Sequence, residues 1–96
     1  MKPSIALEQN RIAVREITRR FHTANPRVFG SVLHGEDQEG SDLDLLVDPT
    51  SKTTMMDIGA IRYELRRLLG IEVDVLTPRA LPDSFRAQVL AEAKPV

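Results

Sequence analysis

The chain contains no cysteine and no tryptophan, and its only aromatic residues are one tyrosine and three phenylalanines. Without cysteine there is no disulfide framework and no thiolate zinc site, and the absence fits a reducing compartment. No apolar run approaches the roughly 20 residues that a membrane-spanning helix needs. The opening Met1-Lys2-Pro3-Ser4 carries no signal-peptide pattern. A cytoplasmic protein without membrane association is therefore expected. A strong charge of either sign is missing too: the formal net charge of −1 exerts no global pull on nucleic acid, so no direct nucleic-acid partner is expected. At 96 residues, 42% hydrophobic and 28% charged, the composition is that of one small globular domain, residues 1–96, around one core.

What is present is unevenly spread. Residues 1–27 hold six bases (Lys2, Arg11, Arg15, Arg19, Arg20, Arg27) against Glu8 and Glu16. Residues 36–57 hold seven acids (Glu36, Asp37, Glu39, Asp42, Asp44, Asp48, Asp57) against Lys52 alone. An acidic pocket there would repel a nucleic-acid backbone but accept a metal–nucleotide complex.

Periodicity and breakers set out the elements. Ser4, after Pro3, is placed to cap a first helix running to about His22 or Ala24. Its apolar stripe would be Ala13, Ile17, Phe21 and Ala24, with Ile5 and Ile12 on a neighbouring line. Asn25-Pro26 breaks it. Arg27 to Phe29 is then a short strand, Gly30 a tight turn, and Ser31 the start of a helical turn through His34. An acidic loop, Gly35 to Gly40, leads to a second strand from Asp42 to about Asp48, ended by Pro49.

Thr54 and Asp57 form a capping-box pattern opening a helix with Ile58, Ile61, Leu65, Leu68 and Leu69 on its apolar side and Gly70 as its stop. Met55 and Met56 read as gap-filling core or as residues facing a partner, and Tyr63 as surface. Ile71, Val73 and Val75 form the inward face of a third strand, with Glu72 and Asp74 on its other face. Pro82-Asp83 opens a last helix to about Ala93 with Phe85, Val89 and Ala93 as its buried line, and Lys94-Pro95-Val96 reads as a frayed end. This is an α/β (α+β) chain in αβαβαβα order. Its three-stranded mixed sheet has strands two and three parallel through a right-handed crossover; if strand one pairs antiparallel with strand two, its end lies beside the start of strand two.

One stretch stands out chemically, Val28 to Val47. In Ser41-Asp42-Leu43-Asp44-Leu45-Leu46-Val47, strand alternation turns Asp42 and Asp44 one way and Leu43, Leu45 and Val47 into a core. Two carboxylates so close resist joint ionisation unless a cation lies between them. Aspartate is also depleted in strands. Mg²⁺ takes one or two carboxylates and completes its shell with water and substrate phosphate oxygens. A lone Asp-x-Asp is ordinarily a solvated strand end. Here Gly30-Ser31 lies about ten residues upstream, at a strand-to-turn junction where backbone N–H groups can hold a phosphate. Asp74, on the neighbouring strand, can join the same face; Glu72 fits the alternation equally well. The valines flanking Asp74 make a half-buried acid costly there unless it is paired or metal-associated. His34 and His22, as lone histidines beside a loop and a helix end, read as solvated.

Gly30-Ser31, Gly35 and Ser41-Asp42-Leu43-Asp44-Leu45 together resemble the signature of the DNA polymerase β-like nucleotidyltransferase superfamily. In length the chain is similar to the minimal nucleotidyltransferases, the antitoxin halves of bacterial and archaeal toxin–antitoxin pairs. The likeness spans nearly the whole chain in element order. Members often carry basic residues after the Gly-Ser, where this chain has Val32, Leu33 and His34.

The resemblance implies transfer of a nucleotide monophosphate with release of pyrophosphate. Mg²⁺, or Mn²⁺, would be held by Asp42, Asp44 and Asp74, and Gly30 and Ser31 would bind the nucleotide. Asp74 would either share a second ion or act directly as general base. It further implies AMP transfer from ATP to a hydroxyl, a tyrosine's, of a HEPN-domain ribonuclease toxin, which the modification neutralises. Two alternatives stay open. One is a catalytically inactive antitoxin that silences the toxin by contact. The other is a nucleotidyltransferase subunit acting on a small acceptor such as an aminoglycoside. The elements use almost all of the chain, so the site should be open on one side, which suits a folded acceptor better than a small one.

Overall fold

A computed structural model describes residues Met1–Val96. The elements are α1 (Pro3–Gln9), α2 (Arg11–Arg20), β1 (Thr23–Phe29), α3 (Gly30–Leu33), β2 (Leu43–Pro49), α4 (Met55–Leu69), β3 (Val73–Leu76), a 3₁₀ turn (Pro78–Ala80), α5 (Arg86–Glu92) and β4 (Lys94–Pro95). The strands lie in one mixed sheet in the order β3-β2-β1-β4. β2 and β3 are parallel, as the sequence pattern implies, and β1 and β2 antiparallel, but the sheet has four strands rather than three.

The fourth strand is the tail expected to fray. Lys94 and Pro95 pair antiparallel with Val28 and Arg27. Val96 is buried, its N–H donates to the Pro26 carbonyl (3.0 Å), and Arg15 Nη1 donates to the Val96 carbonyl (2.7 Å). Two hydrogen bonds and a buried side chain hold a strand too short to show any periodicity.

The first helix is likewise two. At Asn10 the side-chain amide donates to the Ala6 carbonyl (2.8 Å) and the backbone turns out of helical geometry (φ −134°). Asparagine offers the backbone such a local alternative to the helix. The turn rotates the apolar line onto Ala6, Leu7, Val14, Ile17 and Thr18, leaving Ile5 and Ile12 exposed and Ala13 only half-buried. Pro3, not Ser4, opens α1. Asn25-Pro26 does not end a helix. It sits inside β1, where Asn25 adopts a left-handed conformation (φ 51°) and the pairing with β2 shifts between Ala24 and Arg27. That is a bulge, one of the places a strand admits proline.

α4 follows its sequence signals closely. The Thr54 hydroxyl accepts from Asp57 N–H (3.2 Å) and the Asp57 carboxylate accepts from Thr54 N–H (2.9 Å), so both halves of the capping box form. Gly70 closes the helix at φ 68°. Ile61, Leu65 and Leu69 are buried, whereas Leu68 is exposed. Met55 and Met56 are 88% and 84% exposed, which removes the core reading for both.

α5 starts only at Arg86, because the Arg86 guanidinium holds the preceding turn through the carbonyls of Pro78 and Leu81. Phe85 is therefore exposed and Leu81 takes the buried place. β3 begins at Val73, and Ile71 lies before it, half-buried against the core.

Two apolar layers result, one on each face of the sheet. Val28, Leu43, Leu45, Val47, Val73 and Val75 pack with residues of α1, α2 and α4. On the other face lies a smaller cluster, Phe29, Leu46 and Leu81, with Leu33, Leu76, Val89 and Ala93 against it. Asp44 alternates with Leu45 and shares Leu46's side of β2; Asp74 shares Leu76's side of β3. The thinly covered face is the one that carries the acids.

Candidate active site

The sheet register brings three positions into a row. Phe29 at the end of β1 is paired with Asp44 on β2, and Asp44 with Asp74 on β3. Gly30 follows Phe29 at φ +73°, a conformation glycine adopts without strain. A Cβ at residue 30 would lie 2.2 Å from Asp44 Oδ2 and 3.1 Å from its Cγ. Bare backbone at this position is thus what admits the Asp44 carboxylate.

Asp42 sits just ahead of β2, where the Leu43 N–H donates to the Glu72 carbonyl (2.9 Å) and ties the starts of β2 and β3 together. Asp42 and Asp74 are exposed and Asp44 is half-buried. Burial, then Asp74, then Asp42 push the Asp44 carboxyl up to about 6. Both neighbouring acids therefore act electrostatically on Asp44.

The two candidates for the third acid differ in their surroundings. Asp74 lies in register with Asp44, whereas the Glu72 carboxylate pairs with Arg66 Nε at 2.7 Å. Ser31 lies in the first turn of α3, half-buried, and its carbonyl accepts from Glu36 N–H (2.9 Å). His34 closes α3 and pairs through Nε2 with Glu92 of α5 (3.2 Å); His22 pairs with Asp57 (3.2 Å). Both histidines thus have acidic partners outside the row.

One positioning residue gave little sign of itself in sequence. Asp37, in the loop read only as acidic, is buried, and its carboxylate accepts from Ser4 N–H at 2.8 Å, serving the open N-terminus of α1. The Ser4 N–H bond holds its carboxyl below the ordinary range. A buried acid in an otherwise solvated loop carries no periodic signal, so the sequence marks it only as one of several loop acids.

No three acidic or histidine side chains converge closely enough to form a complete metal cage. The donors still suit a hard divalent cation that takes its remaining oxygens from a triphosphate. They are carboxylates, and a cation beside them would offset the burial and the neighbouring charges that together raise Asp44. None of the surface cavities is lined by Asp42, Asp44, Asp74, Gly30 or Ser31, so the row faces an open surface.

The site is thus a glycine turn packed against neighbouring carboxylates on a mixed sheet. The polymerase beta nucleotidyltransferase family model matches residues 18–96, and the chain belongs to that family. It is a nucleotidyltransferase of the minimal type. It is similar to the protein adenylyltransferase MntA of Thermococcus cleftensis, 33% identical over 78 residues, which cover 81% of this chain and 79% of that one. A solved structure described as a minimal nucleotidyltransferase superposes with a TM-score of 0.86 at 41% identity, covering 97% of this chain and 95% of that one. The fold is shared, at 18% identity and a TM-score of 0.67, with a structure of a tri-AMPylated Shewanella oneidensis HEPN toxin in complex with MNT antitoxin, covering 92% of this chain and 69% of that one.

Proposed function

We propose that this chain transfers AMP from ATP to a tyrosine hydroxyl of a HEPN ribonuclease toxin and so neutralises it. The observation that carries the reading is the packing of bare Gly30 against the Asp44 carboxylate, with Asp74 in register beside it on β3 and Asp42 two residues before. The relative named as a protein adenylyltransferase and the structure with an AMPylated toxin supply the kind of reaction and partner. Residues 1–96 act as one catalytic domain.

Each residue has a task in this reading. Gly30 and Ser31 hold the β- and γ-phosphates through backbone N–H groups and the serine hydroxyl. Asp42 and Asp44 hold Mg²⁺, with Mn²⁺ as a substitute. When bound, the ion neutralises triphosphate charge and makes the acceptor hydroxyl more acidic. Asp74, on the outer side of Asp44, serves the acceptor, either as a shared ligand or by taking the hydroxyl proton. The tyrosyl oxygen bonds to the α-phosphorus, the bond to the bridging oxygen breaks, and pyrophosphate leaves. The open face of the row suits an acceptor that brings its own folded surface.

One observation favours silencing by contact alone. Val32 packs against the larger core and Leu33 against the smaller one, so neither position offers a base to the triphosphate. The test preincubates a HEPN toxin with this chain with and without Mg-ATP, strips the chain away, and assays ribonuclease activity. Loss of activity that requires ATP and outlasts removal of the chain is the expected result. Silencing that is independent of ATP and reverses on removal would establish the contact reading.

A further inference from the structure

Tyr63, the chain's single tyrosine, lies on the outer face of α4, 60% exposed. Side chains on a helix lean toward its N-terminus, so Tyr63 lies over the turn that carries Gly59 four residues before. Gly59 carries no side chain of its own to cover the ring. On the other side, Arg66 and Arg67 follow at the spacings that share a helix face. The Arg67 guanidinium stands 5.7 Å from the ring centroid. Tyr63, Arg66, Arg67, Gly70, Ile71 and Glu72 line a cavity of about 460 Å³, with two guanidinium groups and a single carboxylate. That volume lies in the range of small-ligand sites.

We infer that Tyr63 is itself an AMP acceptor, modified by a second copy of this chain. The inference rests on the adenylyl-transfer reading above and extends it to a second substrate. Ile61, Leu65 and Leu69 turn one side of α4 toward the sheet, whereas Asp44 and Asp74 lie on the sheet's other face. The phenol cannot reach the acids of its own copy, so the reaction is intermolecular.

In that reaction the phenolic oxygen bonds to the α-phosphorus of Mg-ATP and the bond to the bridging oxygen breaks. Pyrophosphate leaves, and the proton passes to the Asp74 carboxylate of the acting copy. The product carries one phosphodiester charge, which Arg67, beside the ring, neutralises where it forms. The open cavity leaves room for the attached nucleoside.

Intact-mass measurement of the purified chain with Mg-ATP and no toxin tests this, with peptide mapping of the product. The wild type should gain one AMP at Tyr63, at a rate per chain that rises with protein concentration, and Tyr63→Phe should gain none while still modifying the HEPN toxin. In a mixture, Asp44→Asn should gain AMP only when Tyr63→Phe is present, because one variant keeps the acceptor and the other the acids. No gain on the chain from a preparation that modifies the toxin would overturn the inference and leave the adenylyl-transfer reading intact. So would a gain that persists in Tyr63→Phe or is independent of concentration. No gain on either protein would remove both.

Discussion

The Asp44 carboxylate occupies the space that a side chain on residue 30 would need, its Oδ2 lying 2.2 Å from the position of a Cβ there. The Gly30 turn and the acidic strand are therefore a single packed unit, and what disturbs one displaces the other. Gly30→Ala should show this. The left-handed backbone at φ +73° costs an alanine about 1–2 kcal/mol, and the methyl group displaces Asp44 as well. Melting temperature should fall by several degrees with the fold retained by circular dichroism. AMP transfer should drop at least about 100-fold, the order of loss that a small misplacement of reacting groups produces.

Asp44 makes the site costly to the empty fold. Its carboxyl is raised in the folded chain from 3.8 to about 6, so between those values the folded state holds more proton than the unfolded. Stability must then fall as pH rises from about 4 to about 6 and level off above that. Asp44→Asn removes the cost. With allowance for solvent screening of a half-exposed group, the variant should be about 1–2 kcal/mol more stable than wild type at pH 7.5 without metal, and show no gain at pH 3.5. Paired thermal melts at the two pH values measure it.

How much of this was readable in the sequence depended on whether the cause was local. The α4 cap was legible because Thr54 and Asp57 satisfy each other within one turn. The placement of Asp44 and Asp74 on one face followed from strand alternation alone. Three features turned on one side chain's choice of partner or on pairing with another strand, neither of which a residue pattern shows. Asn10 splits the first helix by a bond of its own side chain. Lys94-Pro95 becomes a strand only because Val28 and Arg27 lie ready to pair. Glu72 and Asp74 alternate identically, and what distinguishes them is Arg66, which holds the glutamate.

That distinction carries its own test. Asp74→Asn should lose AMP transfer by about 100-fold or more while keeping nucleotide affinity within a few-fold, the behaviour of a group needed chiefly in the transition state. Glu72→Gln should transfer at close to the wild-type rate, because it loses only a surface ion pair worth about 0–1 kcal/mol. Single-turnover transfer rates alongside calorimetric ATP affinities separate the two. The opposite pattern would move the acceptor-side role to Glu72.

The central claim, that this row of acids moves AMP onto a toxin, meets its most direct test in the intact mass of a HEPN toxin after incubation with this chain, ATP and Mg²⁺. The toxin should gain one or more AMP units with the wild type and none with Asp42→Asn/Asp44→Asn, and the added mass should map to tyrosine. An equal gain with the double variant, or no gain while both proteins silence the toxin alike, would contradict it.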